Sequence, residues 1–157
     1  MRPYLDKSSP AAWSAARAWS DAVQLQAGEA GLTDHETELI KLRASQLNGC
    51  AYCLDLHARQ ARDAGVPPQK IDLLPAWRET SLYTEREEAV LAIAEAATTL
   101  PLTDESHAEL IGARALLGDT LFAAAEWVAV AINTFNRISI LSEHPVRARD
   151  ADGALIR

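Results

Sequence analysis

Four residues in the first half of the chain have the types and the spacing of a thiol redox site. Glu38 is followed after eleven residues by Cys50, and Cys53 is followed after three residues by His57. On a helix, Cys50 and Cys53 are i and i+3, and His57 is i+4 from Cys53, so the three side chains share one face. The Cα atoms of the two cysteines are then about 5 Å apart, within the range that a disulfide tolerates.

A dithiol, an imidazole and a carboxylate can together activate and oxidise a thiol. The carboxylate orients the imidazole, the imidazole takes a proton from one thiol, and the resulting thiolate attacks an electrophile. A peroxide would convert the thiolate to a sulfenic acid, which the second cysteine would resolve to a disulfide. A disulfide on a partner protein would instead give thiol–disulfide exchange. The residues leave both reactions open.

Each of the four residues also has an ordinary structural explanation. Cysteine packs well in protein cores, His57 alone is a common core or surface histidine, and Glu38 alone is most simply a solvated helix residue. A zinc site would need both cysteines, this histidine and a fourth ligand, for which three other histidines are available: His35, His107 and His144. Structural zinc prefers ligands from well-separated knuckles, so we expect no metal here.

Capping and turn residues place this cluster on a hairpin of two helices. Thr33 and Glu36 form a capping box that opens the first helix, and Gly49 ends it. The second helix begins there and ends at Gly65, which precedes two prolines. Folding the two helices about Gly49 brings Glu38 opposite residues 57 to 60, close enough to meet the imidazole. The start of the second helix also supplies free amides and a dipole that favour a thiolate.

The rest of the chain shows further helix patterns and no convincing strand. A helix is expected from Ser9-Pro10, and residues 66–80 are expected to form short helical turns. Three more helices follow, with expected bounds of 84–99, 103–117 and 119–143. The tail, residues 144–157, has no period and is predicted to be a disordered end or an arm on a neighbour. Together these patterns predict one all-α domain, residues 1–157, of six or seven helices with the CxxC hairpin at its centre.

Composition and charge argue against several classes of function. The 22 acidic and 15 basic residues give a net charge of −7, which argues against nucleic acid and anionic membranes as partners. The most apolar stretch, residues 121–141, is interrupted by Glu126 and Asn133, so we expect a buried helix rather than a membrane span. These two residues share a face and are expected to have buried partners or to line a pocket. The N-terminus lacks the apolar core of a signal peptide, and a close cysteine pair is typical of a cytoplasmic protein with reactive or metal-binding thiols.

The spacing Glu38-x11-Cys50-x2-Cys53-x3-His57 resembles the motif of the alkylhydroperoxidase AhpD-like group in the carboxymuconolactone decarboxylase superfamily. Residues 48–57, NGCAYCLDLH, are similar to the signature of the core of that group, which covers about residues 20–75. Residues 131–137, AINTFNR, resemble its later Asn-Arg helix.

This resemblance implies an all-α fold, assembly as a homotrimer or homohexamer, and peroxidase activity without a metal or organic cofactor. It implies that Cys53 is the peroxidatic cysteine, Cys50 the resolving cysteine and proton donor, and Glu38 with His57 the proton relay. The helix dipole alone would make Cys50 the more acidic thiol, whereas closeness to His57 favours Cys53.

One position departs from the pattern of that group. The AhpD type carries a second histidine immediately before the latter cysteine, and this chain has Tyr52 there. A phenol is a poor base at neutral pH, but Tyr52 could donate a hydrogen bond to a peroxide or a thiolate. The alternative is an aromatic side chain that only packs.

The sequence therefore predicts an antioxidant enzyme, a thiol-dependent peroxidase that reduces hydroperoxides through a CxxC dithiol/disulfide cycle. A thiol reductant or a protein disulfide partner would regenerate it. The alternative from another class is a non-catalytic redox sensor or disulfide-exchange adaptor. A decarboxylase of the related lactone branch is a further alternative, but that branch does not rely on a CxxC, so the cysteines count against it.

Overall fold

Helices form almost all the regular structure of residues 2–156, the part of the chain that the computed structural model describes. In chain order they are α1 (Leu5–Ser8), α2 (Pro10–Glu29), α3 (Asp34–Asn48), α4 (Ala51–Asp63), α5 (Pro68–Leu73), a 3-10 helix (Leu74–Glu79), α6 (Glu85–Thr98), α7 (Asp104–Leu117) and α8 (Asp119–Leu141). These residues contain no strand, and the prediction of an all-α fold is confirmed. Met1 and Arg157, the ends of the predicted domain, lie outside the described residues.

The caps that the sequence predicts around the hairpin are present. The Thr33 hydroxyl accepts a hydrogen bond from the Glu36 amide, and the Glu36 carboxylate accepts one from the Thr33 amide. Gly49, at φ 66°, ends α3 in the left-handed conformation that glycine adopts without strain. Cys50 then forms the N-cap of α4. The turn therefore places the first cysteine at the start of a helix.

Helix α3 lies at the centre of the fold, against α4, α6 and α8. One apolar cluster joins α2, α3, α6 and α8, and includes Val23, Ile40, Val90, Ile93 and Val128. A second cluster joins α3 and α4 to the 3-10 helix, and includes Leu39, Leu42, Leu74, Trp77 and Leu91. Because Ile40 belongs to the first cluster and Leu39 to the second, the backbone beside Glu38 is fixed from two sides.

Helix α8 is the element whose apolar sequence comes nearest to a membrane span. In the structure it packs against α2, α3 and α6, and it carries two buried asparagines, Asn133 and Asn136. Among residues 2–156, no helix combines the length and the apolar character that crossing a bilayer requires.

The structure differs from the prediction in the number of helices. Residues 2–156 form eight α-helices and one 3-10 helix rather than six or seven, because α1 was not expected and residues 66–80 divide into two elements. Ser9 makes no side-chain capping bond, so Pro10 begins α2 without one. For the tail, a disordered end or an arm on a neighbour stays a prediction, and the structure describes its residues 144–156. This segment turns back on itself and contacts its own chain, with Arg149 Nε 3.4 Å from Asp55 Oδ1 of α4.

Candidate active site

The two cysteines lie at the start of α4 and form a disulfide. Their Cα atoms are 5.3 Å apart, as the i, i+3 spacing of a helix requires. Both side chains are buried: Cys50 is 1% exposed and Cys53 is 3% exposed. The Cys53 amide donates toward Cys50 Sγ at 3.4 Å, so the sulfur of Cys50 caps the helix. The pair therefore shares the positive end of the α4 dipole.

Glu38 and His57 meet across the hairpin. Glu38 Oε2 lies 2.8 Å from His57 Nδ1, and both residues are buried. Burial raises the pKa of the Glu38 carboxyl, but the hydrogen bond with His57 and the charge of Lys41 outweigh burial, so its pKa is lowered. The carboxylate is thus ionised at neutral pH and holds the imidazole by Nδ1, which excludes the alternative of a solvated Glu38.

Lys41 is a member of this cluster that sequence reasoning missed. Its Nζ donates to Glu38 Oε1 at 2.9 Å and to Gln24 Oε1 at 3.0 Å. The i, i+3 spacing of Glu38 and Lys41 on α3 is the pattern that could have identified it. Because Lys41 holds one carboxylate oxygen and His57 the other, the orientation of the Glu38 carboxylate is fixed by both.

A cavity of about 360 Å³ opens beside the second cysteine. Cys53, His57 and Lys41 line one side of it. The remainder is largely apolar and includes Trp13, Val23, Leu56, Val128, Ile132 and Phe135. Cys50 is not among the lining residues. A molecule that enters this cavity therefore meets Cys53 and the imidazole but not Cys50.

A buried network of amides anchors the hairpin to α8. Asn48 Nδ2 donates to Asn133 Oδ1 at 2.9 Å and to Asn136 Oδ1 at 2.8 Å. Asn136 Nδ2 in turn donates to Ser45 Oγ of α3 at 3.1 Å. Asn133 thus has buried partners, one of the two roles expected for it. The residues that resemble the Asn-Arg helix hold the turn that precedes Cys50.

A second polar cluster, named here the outer cluster, lines the same cavity and consists of Asp6, Ser139 and His144. His144 Nε2 lies 3.2 Å from Asp6 Oδ1, and His144 Nδ1 lies 3.3 Å from Ser139 Oγ. The ring of Tyr52 packs edge-on against the His144 ring at 5.4 Å between centroids. Tyr52 is 42% exposed and also lines the cavity. Sequence reasoning placed Tyr52 near the thiols but assigned none of the outer cluster to the redox site.

The other candidate zinc ligands do not join the cysteines in a metal site. His35 Nε2 lies 2.7 Å from Glu87 Oε1, and His107 is exposed on α7. Within residues 2–156, no three His, Cys, Asp or Glu side chains converge as a metal site would require. Glu126 lines a separate apolar groove, where burial raises the pKa of its carboxyl.

Comparison with known proteins places this chain in a family. A model of the carboxymuconolactone decarboxylase family matches residues 13–96. The uncharacterized protein YdfG of Bacillus subtilis is 38% identical over 106 residues, 66% of this chain and 70% of that protein. The alkyl hydroperoxide reductase AhpD of a Bradyrhizobium species is 35% identical over 75 residues, 48% of this chain and 39% of that protein.

A solved structure extends the similarity over most of the chain. It is the crystal structure of an Agrobacterium tumefaciens protein of unknown function that has been proposed to be an antioxidant defence protein AhpD. The two chains superpose with a TM-score of 0.79 and 37% sequence identity, covering 92% of this chain and 98% of that one.

Proposed function

Because the chain belongs to the carboxymuconolactone decarboxylase family and is AhpD-like within it, we propose that it is a thiol-dependent peroxidase. The proposed reaction reduces hydroperoxides through a dithiol/disulfide cycle of Cys50 and Cys53. The observation that carries this proposal is the cavity that both Cys53 and His57 line, with Glu38 bonded to the imidazole at Nδ1. We further propose that it acts in the cytoplasm, where thiol reductants keep such a pair reduced.

Activation of the reduced site begins at Cys53. His57 Nδ1 is engaged by Glu38, which leaves Nε2 to accept the proton of the thiol. The ionised carboxylate stabilises the imidazolium that forms, as an orienting carboxylate does in other nucleophile–base pairs. Cys53 is the reactive cysteine of this proposal because it lines the cavity with the base, whereas Cys50 does not.

The oxidised cysteine is then resolved within α4. The Cys53 thiolate attacks the distal oxygen of the peroxide and becomes a sulfenic acid, and the peroxide is reduced to an alcohol. The Cys50 thiol attacks the sulfenic sulfur, water leaves, and the disulfide forms. A thiol reductant or a protein partner with a dithiol returns the pair to the reduced state by exchange.

The deciding experiment is steady-state peroxide consumption with an excess of a small dithiol. We expect the wild-type protein to turn over many times and Cys53→Ser to be inactive. In Cys50→Ser, we expect a sulfenic acid on Cys53 that a trapping reagent detects by mass spectrometry. A redox sensor would oxidise once and stop. An active Cys53→Ser, with the sulfenic acid on Cys50, would reverse the roles of the two cysteines.

We also propose that the protein assembles as a homotrimer or homohexamer. Exposed apolar side chains surround the groove between α6, α7 and α8, among them Leu100, Trp127 and Val130. Apolar patches of this kind are commonly covered in symmetric oligomers. Sedimentation at micromolar concentration tests this proposal, and a monomer would refute it.

A further inference from the structure

We propose that the outer cluster is a second proton relay, which protonates the oxygen that leaves when the peroxide bond breaks. The inference rests on the proposed peroxidase function and adds three residues to it: Asp6, His144 and Ser139. Each comes from a different part of the chain: α1, the segment after α8, and α8 itself.

The contacts of the cluster form a chain that ends in the cavity. Asp6 Oδ1 lies 3.2 Å from His144 Nε2, and His144 Nδ1 lies 3.3 Å from Ser139 Oγ. All three residues line the cavity that also contains Cys53. The side chains of His144 and Asp6 keep 15% and 21% of their surface exposed, so protons from solvent reach them. In this order of groups, the carboxylate orients the imidazole, and the imidazole exchanges a proton with the hydroxyl.

The reaction needs a donor that faces the peroxide, and Cys50, the proton donor that the resemblance implies, does not line the cavity. The ionised Glu38, itself held by Lys41, stabilises the His57 imidazolium at 2.8 Å. With Nδ1 engaged by Glu38, His57 has one ring nitrogen left, Nε2, and in the proposed reaction that nitrogen accepts the thiol proton. A separate donor that lines the same cavity removes the need for His57 both to accept the thiol proton and to protonate the leaving oxygen.

The step balances as follows. The sulfur of Cys53 bonds to the distal oxygen, the O–O bond breaks, and its electron pair goes to the proximal oxygen. That oxygen takes the proton of the Ser139 hydroxyl, which recovers one from protonated His144 at Nδ1, and His144 takes a proton from solvent. The thiolate, the hydroperoxide and one proton become the sulfenic acid and the alcohol. Sulfur is oxidised by two electrons and the peroxide bond is reduced.

In this scheme Ser139 is the catalytic residue of the relay, and His144 and Asp6 are positioning residues. A purely structural role competes with this one. The His144 amide donates to Ser139 O at 3.1 Å, which closes the end of α8, so the imidazole could serve only to tie α1 to that end. The two roles differ in one measurable respect: proton donation matters only when the leaving oxygen is strongly basic.

The test compares two oxidants in a single turnover of the reduced protein. With tert-butyl hydroperoxide the leaving oxygen is an alkoxide, which needs a proton. With peracetic acid it is acetate, which does not. We expect Ser139→Ala and His144→Gln to slow Cys53 oxidation by tert-butyl hydroperoxide about tenfold to a hundredfold, at or below the lower end of what general acids contribute. Oxidation by peracetic acid should change by about twofold or less, because that step needs no acid. His107→Gln, the same change on an exposed face of α7, should match the wild type with both oxidants.

Each other outcome has a definite meaning. Equal slowing with both oxidants would show that the residues shape the cavity and donate no proton, and no slowing with either would remove the relay. If His144→Gln does not fold, Ser139→Ala still decides, since it deletes one hydroxyl from a helix. A wild-type protein that reacts with neither oxidant would reject the peroxidase itself, whereas an active wild type with unchanged variants would reject only the relay.

Discussion

Two carboxylate–imidazole pairs each contribute a histidine to the lining of one cavity, and the two pairs are held in different ways. Glu38 and His57, the hairpin pair, are 19 residues apart in the chain and 2.8 Å apart in space. Asp6 and His144, the outer pair, are 138 residues apart in the chain and 3.2 Å apart in space. The hairpin pair is the more buried, with side-chain exposures of 9% and 10% against 21% and 15%.

The difference shows that one site can combine a rigidly held pair of residues with a pair that is less constrained. The hairpin pair is clamped by apolar side chains on both faces of α3 and by the amide network to α8. The outer pair depends on α1, a helix of four residues with none buried, so little holds it besides its polar contacts. A base must be fixed relative to its thiol, whereas a donor near solvent tolerates motion. We therefore expect disruption of the hairpin pair to have the larger effects.

The largest difference between the hairpin pair and the outer pair should appear in the reactivity of the Cys53 thiol. Glu38→Gln removes the charge that stabilises the imidazolium, so the pKa of the reactive thiol should rise toward about 8.5, the value of a free cysteine. Peroxide reduction near pH 7 should fall about tenfold to a hundredfold, at or below the lower end of what positioned proton transfer contributes, and higher pH should restore much of the lost rate. Alkylation rate against pH is the measurement. Asp6→Asn is the matched control and should leave the dependence of alkylation rate on pH unchanged. If wild type and Glu38→Gln show the same dependence, Glu38 is not part of the relay.

The amide network gives the next largest effect, on stability. Asn136 is fully buried and bonds to both Asn48 and Ser45. Asn136→Ala leaves those partners without it, which should lower the free energy of unfolding by about 1–3 kcal/mol. Thr134→Ala on the same helix removes a hydroxyl that bonds only to the backbone of α8 and should change it by about 0.5 kcal/mol or less. Denaturant unfolding measures both, and equal losses would mean that the network does not anchor the hairpin.

Acid should weaken the hairpin pair in a predictable direction. The pKa of Glu38 is lowered in the folded protein, so the unfolded chain binds the proton more readily. Its contribution to stability is therefore present above its ordinary pKa of 4.5 and is lost as the pH falls through the folded value. Unfolding of wild type and Glu38→Gln between pH 6 and pH 3 should show a difference that shrinks as the pH falls, and a constant difference would contradict the assignment.

The smallest effect concerns the hydrogen bond that attaches α1, the helix of Asp6, to the end of α8. The Leu5 amide donates to Ser142 Oγ at 3.0 Å and joins α1 to the end of α8. Ser142→Ala should cost about 0.5–1.5 kcal/mol, the net value of one hydrogen bond. The loss should be local, so hydrogen exchange should accelerate in α1 and stay unchanged in α4. Acceleration in both helices would show that the two pairs are parts of one cooperative unit.

The same contrast explains what the sequence could predict. Two consecutive helices carry Glu38, Cys50, Cys53 and His57. The residues that cap these helices and form the turn between them are close together in the sequence. Local patterns therefore predict the helical hairpin that brings the four side chains together. His144 meets Asp6 only because the two ends of the chain pack together, and no local pattern encodes that contact. Asn133 stood out as a polar residue in an apolar helix, but its partner Asn48 depends on how α8 crosses the hairpin. The catalytic roles stay predictions for the four residues of the hairpin site, Glu38, Cys50, Cys53 and His57.

The placement of Cys50 as the N-cap of α4 affects how well the proposed active site resists inactivation by excess peroxide. A sulfenic acid on Cys53 has two fates: condensation with a thiol, or attack by a second peroxide that gives an irreversible sulfinic acid. Cys50 is already within bonding distance, because one helical turn fixes the Cα separation at 5.3 Å, so condensation requires no unfolding or loop movement. This placement of Cys50 therefore favours resistance to irreversible oxidation of Cys53 at high peroxide concentration. Removal of the Cys50 thiol would abolish that resistance even if the first oxidation of Cys53 remained fast.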